Sequence, residues 1–206
     1  SATFSNGTAQ VTWNEPSNTN GRNIEQYTVS ATGADPVEVK APSTSTSINL
    51  KHSEQQVSIS VTAVNDTKDP GAHTSPAATT TVWAVGQVNA PTITSPKATG
   101  NSKEIAFNVE FQPGNGWSKN DVVDYQWTTD NGGHWDSLSR DGDHTVTSPA
   151  LTDGVDATLQ VKVTVRKSGT DKTSEAVATG GTVSSFGPPA TPTVSCQPGG
   201  PGWVDC

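Results

Sequence analysis

The sequence has no methionine, only two cysteines and few apolar residues, and each scarcity excludes something. A chain without Met does not open at an initiator, so it is expected to be an internal piece of a longer protein. Cys196 and Cys206 both stand in the C-terminal tail, which leaves everything ahead of them without a disulfide. Hydrophobic residues make up 31% of the chain and aromatic residues 6%. No apolar run approaches the roughly 20 residues that a membrane-crossing helix requires. Direct membrane insertion by this piece is therefore not expected, and any export signal or anchor is expected to lie outside it. The 12 basic residues are outnumbered by 20 acidic ones, for a net charge of −8. With no basic patch, nucleic acid and anionic membranes are poor candidates for partners.

Ser, Thr, Gly, Pro and Asn are abundant instead, a composition suited to short strands joined by turns. In residues 55–65, Val57, Ile59, Val61 and Ala63 alternate with Ser58, Ser60 and Thr62. A period of two places these sets on opposite faces of a half-buried strand. The device returns as Ala157, Leu159, Val161, Val163 and Val165, interleaved with Thr158, Gln160, Lys162 and Thr164. Around the first central strand the pattern predicts strands at 9–13, 24–30, 37–40, 45–50 and 78–85. Around the second it predicts strands at 104–111 and 121–128 and a hairpin with a Gly-rich turn through 129–135. Trp13 and Tyr27 stand 14 positions apart, and so do Phe111 and Tyr125. Leu50 and Leu151 precede the two central strands. A period of 98 residues, from Trp13 to Phe111, predicts two copies of one all-β sandwich of about seven strands, at 1–86 and 87–185. Residues 186–206 read as a linker and the truncated start of a third copy, because Pro192-Thr193-Val194 echoes Pro91-Thr92-Ile93. Too short to bury a core, that tail is expected to be extended or poorly ordered.

The positions Trp13, Tyr27, Val29, Leu50, Ala63, Val64 and Asn65 together resemble the pattern of a fibronectin type III domain. The run Tyr125-Gln126-Trp127-Thr128-Thr129-Asp130-Asn131-Gly132-Gly133 is similar to bacterial members of that family. Two departures stand out: the usual corner tyrosine is Val57 in one copy and Ala157 in the other, and Phe111 replaces a tryptophan. The chain as a whole resembles part of a large, repeat-containing surface protein of an actinobacterium, of the bifidobacterial kind. The resemblance implies an extracellular, cell-surface location with the anchor outside this piece. It implies non-catalytic modules that extend a protein and bind other proteins in adhesion. Tandem modules of this type build cytokine-receptor ectodomains, so a host signalling protein such as a cytokine is an implied partner. The rival reading is a carbohydrate-binding or spacer module of a secreted glycosidase.

No reaction is legible. His52, His73, His134 and His144 are scattered, with no cysteine partner and no metal-ligand spacing, and are expected to be solvated turn residues. Asp141-Gly142-Asp143 and Asp153-Gly154-Val155-Asp156 offer oxygens to calcium but also read as ordinary Asp-Gly turns. There is no Gly-x-Ser-x-Gly elbow. No catalytic residue, metal or cofactor is therefore expected. Candidate partner contacts are Lys68 and Asp69 in the turn after the first central strand, Lys51 and Lys167 in the loops 51–56 and 167–172, and Trp83 and Trp117. Trp83 and Trp117 belong to neither predicted core, and both fall near the junction between the copies. A ring there is expected to fill the gap between two sandwiches. In a surface protein, exposed to oxidising conditions, Cys196 and Cys206 are expected to form a disulfide.

Overall fold

The computed structural model describes residues 1–99, 104–139, 143–148, 151–200 and 203–205. In the first half, the strands β1 (Ala2–Ser5), β2 (Thr8–Thr12), β3 (Ile24–Ala31), β4 (Val37–Lys40), β5 (Ser45–Asn49), β6 (Gln56–Asn65) and β7 (Ala78–Trp83) follow the predicted alternation. They form two antiparallel sheets, β1-β2-β5 and β4-β3-β6-β7. In the second half, the described residues form β8 (Thr92–Ala98), β9 (Glu104–Glu110), β10 (Val122–Thr128), β11 (Asp136–Ser137), β12 (Asp143–Thr147), β13 (Asp156–Arg166) and β14 (Thr173–Ser184). Their sheets, β8-β9-β12 and β11-β10-β13-β14, repeat the first order strand for strand. The one helical segment among the described residues is a single 3-10 turn at Lys119–Asp121.

Register shows how closely the halves copy each other. Tyr27 faces Ala63 and Val29 faces Val61; Tyr125 faces Val163 and Trp127 faces Val161. Each third-strand position also carries a bulge at its start, between Ile24 and Gln26 in one half and between Val122 and Asp124 in the other. Apolar positions of the two sheets meet face to face, as the period of two requires. The first core holds Val11, Val29, Ile48, Leu50, Val57 and Ile59. The second is richer in rings, with Phe107, Phe111, Tyr125 and Trp127 around Leu159 and Val161. Burial alone pushes the Tyr125 phenol up to about 12. In the expected hairpin, Asn131 and Gly132 take left-handed φ values of 59° and 89°. Asp130 Oδ1 anchors the turn by accepting from Thr128 Oγ1 at 2.6 Å and from the His134 amide at 2.9 Å.

Two expectations change. His144 is not a solvated turn residue: it lies on β12, 7% exposed, opposite Phe107 and 5.7 Å from its ring centroid. Alternation with Val146 turns it inward, where its ring packs as an aromatic. The tail is not merely extended, because β15 (Gln197–Gly200) and β16 (Trp203–Asp205) pair antiparallel. Cys196 is disulfide-bonded; its expected partner Cys206 lies outside the described residues, as do 140–142 with part of the first Asp-Gly turn.

Trp13 is half-buried, with its ring set edge-on to Tyr27 at 5.2 Å between centroids. Trp13→Ala is expected to destabilise the first module by about 3 kcal/mol, the lower end for a large-to-small change because the ring is not fully enclosed. Urea unfolding followed by circular dichroism measures this, and a loss well under 1 kcal/mol would contradict the placement.

Candidate functional site at the junction of the two modules

The second module meets the first through a loop whose backbone is unusual over three consecutive residues. Gly114, Asn115 and Gly116 take φ values of 60°, 49° and 85°. Glycine and asparagine adopt this left-handed region at least cost, which accounts for the Gly-Asn-Gly sequence. At Gly116 a side chain is also excluded by space, since a Cβ would lie 2.8 Å from both the Ala84 and Ser53 carbonyl oxygens. The tight path lets backbone touch backbone across the junction. The Gly86 amide donates to the Asn115 carbonyl at 2.9 Å, and the Asn89 amide donates to the Pro113 carbonyl at 2.9 Å. Asn115 Nδ2 donates to the Gln87 carbonyl at 2.7 Å. On the other side of the linker, the Val88 amide donates to Ser174 Oγ at 3.0 Å, and Gln87 Nε2 donates to the Glu175 carbonyl.

Trp117 closes this contact. Its ring is 2% exposed, and Nε1 donates to the Gly86 carbonyl at 2.7 Å. Trp83, at the end of β7, is half-buried. Between the two rings lies Lys167, 3% exposed, its Nζ 5.0 Å from the Trp83 centroid and 5.5 Å from that of Trp117. A desolvated ammonium needs compensation, and ring faces supply part of it. The rest comes from Asp121 Oδ2 at 2.8 Å and the Glu54 carbonyl oxygen at 3.3 Å, the latter on the first module. Asp121 is placed by the 3-10 turn and also accepts from the Ser118 amide at 2.8 Å and from Ser118 Oγ at 3.1 Å. Burial pushes the Asp121 carboxyl up, but the Lys167 and Ser118 hydrogen bonds and the lysine charge outweigh it and hold the group below its ordinary value. Beside these contacts a cleft of about 490 Å³ is lined by His52, Glu54, Asn89, Asn115 and Lys119 among others.

The sequence-predicted residues thus separate into three groups. Trp83, Trp117 and Lys167 converge at the junction. Trp117 and Lys167 are buried with their polar atoms committed between the modules, so neither side chain is exposed for direct contact with a partner. Trp117 is equally withdrawn from any role as a sugar-stacking face. Lys51 is exposed and lines a separate surface depression with Asp35 and Pro36. Lys68 and Asp69 are exposed at the opposite pole, beyond the far end of the 10-residue β6 from Glu54, roughly 30 Å along a strand of that length. They share no surface with the junction. Sequence reading missed Asp121, Glu54 and Ser118, although Ser118 and Asp121 carry the spacing of a cap. Among the described residues no group of three or more His, Cys, Asp or Glu is set to hold a metal, and no helix is long and apolar enough to cross a membrane.

A three-stranded sheet facing a four-stranded one, repeated in the same order and joined end to end, defines the class: tandem β-sandwiches of fibronectin type III-like architecture. Among solved structures the chain is similar to the FN1–FN3 domains of chicken CNTN1, at 13% identity and a TM-score of 0.37, covering 95% of this chain and 70% of that one. It is similar also to a two-domain fibronectin type III segment from chicken tenascin, at 18% identity and a TM-score of 0.42, covering 86% of this chain and 97% of that one. No family model matches the chain, and no curated protein matches its sequence.

Lys167→Ala strips the junction of its cation and leaves Asp121 poorly compensated, at an expected cost of about 3 kcal/mol. The pair Lys167→Met with Asp121→Asn removes both charges and is expected to cost clearly less. A double-mutant cycle by calorimetry reads the difference, together with whether the modules melt as one unit or as two. The same contact has a pH dependence of known sign. A carboxyl held below its ordinary value of 3.8 stabilises the folded state fully above that value and loses this contribution as pH falls through the lowered one. Coupled melting is therefore expected to persist down to the ordinary carboxylate range and to fail below it, as a calorimetric series at stepped pH records.

Proposed function

We propose that the chain is a non-catalytic, extracellular two-module unit of a cell-surface protein, which holds its modules at a fixed elbow and binds a protein partner on the loops around it. The observation that supports this reading is the Lys167 contact. A cation enclosed by one ring from each module, tied to Asp121 and to the Glu54 carbonyl, makes the angle between the modules part of the folded structure. Inter-domain contacts within a chain are small and mobile by default, so a desolvated, fully partnered one indicates that relative orientation matters to what the protein does. The exposed residues flanking it include Lys119 and Lys172. Such rim cations steer an acidic partner and set its association rate. A helical or trimeric signalling protein of a host, a cytokine, is the partner class we assign to the elbow. A spacer role along the cell surface accompanies that binding.

The test is a titration of the intact chain against a panel of helical and trimeric cytokines, and in parallel against oligosaccharides, read by biosensor and by tryptophan fluorescence. Saturable binding of a protein is expected, weakened at least tenfold by Lys167→Ala and unaffected by Asp69→Ala at the far pole. Binding of oligosaccharide with no protein bound would overturn the reading. So would protein binding that Asp69→Ala removes and Lys167→Ala leaves intact.

A further inference from the structure

The first module has an apolar pocket of about 230 Å³, lined by Trp13, Pro16, Tyr27, Ala63, Pro76 and Ala78 among others. Drug-sized ligands occupy pockets of roughly 300–1,000 Å³, so this one takes a single ring or side chain. Two polar atoms of its walls, Trp13 Nε1 and Tyr27 Oη, are buried without a hydrogen-bond partner, and Tyr27 as a whole is 1% exposed. Burial, and secondarily the Glu15 carboxylate, raises the Tyr27 phenol above its ordinary value, so it remains a donor at neutral pH. The Ser75 hydroxyl nearby is already committed, accepting from the Ala63 amide and donating to the Pro76 carbonyl. A buried donor without a partner costs more than an average hydrogen bond contributes, and native structures avoid it. What the pocket lacks is an acceptor carried on a small apolar body.

The chain displays a segment of that chemistry. Pro188-Pro189-Ala190-Thr191-Pro192 is exposed throughout and belongs to no strand. Three prolines in five residues leave five carbonyl oxygens against two backbone N–H groups, those of Ala190 and Thr191, so the backbone is mostly acceptor. Proline fixes its own φ and so orders such a segment in advance. Pro-x-x-Pro segments dock on aromatic-lined grooves for this reason, and Trp13 and Tyr27 form an aromatic wall of that kind. Within one molecule the two cannot meet. The pocket includes Ala78, roughly 17 Å along β7 from Trp83 at the junction. The proline segment follows β14, which leaves the junction at Ser174 and ends at Ser184, roughly 33 Å away in the other module. Pocket and segment therefore stand at opposite ends of the molecule.

We infer that the pocket beside Trp13 receives the 189–192 segment of a second copy of this chain, with a proline ring against the Trp13 and Tyr27 rings and neighbouring carbonyl groups accepting from Trp13 Nε1 and Tyr27 Oη. The contact is heterologous: one end of a molecule takes the opposite end of the next. A dimer keeps one free pocket and one free segment, so association continues head to tail beyond it.

Two measurements on the intact chain test this. In the first, a free peptide of residues 186–194 is titrated while the Trp13 indole N–H resonance is followed. Saturable movement is expected, with affinity about fivefold weaker in Tyr27→Phe, which deletes only the unpartnered hydroxyl. The same peptide with its prolines replaced by alanine is expected to leave the resonance in place. In the second, sedimentation equilibrium at rising concentration is expected to show a mean mass that grows past that of a dimer. The double variant Pro189→Ala with Pro192→Ala is expected to stay monomeric at an unchanged melting temperature. A resonance that the peptide does not move overturns the proposal, as does association that the proline variant leaves intact. A chain still monomeric at concentrations where the peptide saturates the site assigns the occupant to another protein, and the second-copy inference fails.

Discussion

One desolvated ammonium group organises the relation between the two halves of this protein. Lys167 gives up almost all of its water, and the structure compensates with a carboxylate, a carbonyl oxygen and two ring faces. The compensation is divided: Asp121 and Trp117 come from the second module, Trp83 and Glu54 from the first. Neither module alone satisfies the charge, so separation of the modules exposes a cost that their association removes. The left-handed Gly114-Asn115-Gly116 path follows from the same demand, because only a backbone without bulky side chains brings the Trp117 ring and the linker close enough to enclose the cation.

The two modules solve one topology with different cores. Phe111, Trp127 and Phe107 fill the second with rings, whereas the first uses Val11, Val29 and Ile59 and keeps Trp13 at its margin. Strand order, register and the third-strand bulge are nonetheless the same. Backbone pairing and the in–out alternation therefore carry the architecture, and the identity of core side chains is free to vary as long as each inward position stays apolar.

Much of this was legible in the sequence, for a physical reason. A period of two is a local signal, and Val57, Ile59, Val61 and Ala63 state it without reference to any other part of the chain. The matched spacing of Trp13 to Tyr27 and Phe111 to Tyr125 supplied the repeat. The junction was legible only by elimination, as the place where two tryptophans without a core fell together. Lys167 was not, because a lysine in a Lys-Ser-Gly-Thr turn has the look of a solvated loop, and its burial depends on residues 46 and more positions away. His144 was misread for the opposite reason: its alternation with Val146 was available, but an imidazole beside aspartates suggests a turn.

The linker also determines how the protein would carry a load. Residues 86–89 are bonded along both flanks, to the 113–115 backbone on one side and to Ser174 and Glu175 on the other. Because the Asn89–Pro113 bond continues the β8–β9 ladder, tension transmitted along the chain reaches these bonds in shear, several at a time, and not by peeling them singly. An ordinary flexible connection would lengthen first and leave the modules to swing. Here the segment between them behaves as a further stretch of sheet, and a pull applied to one module passes to the other with little slack.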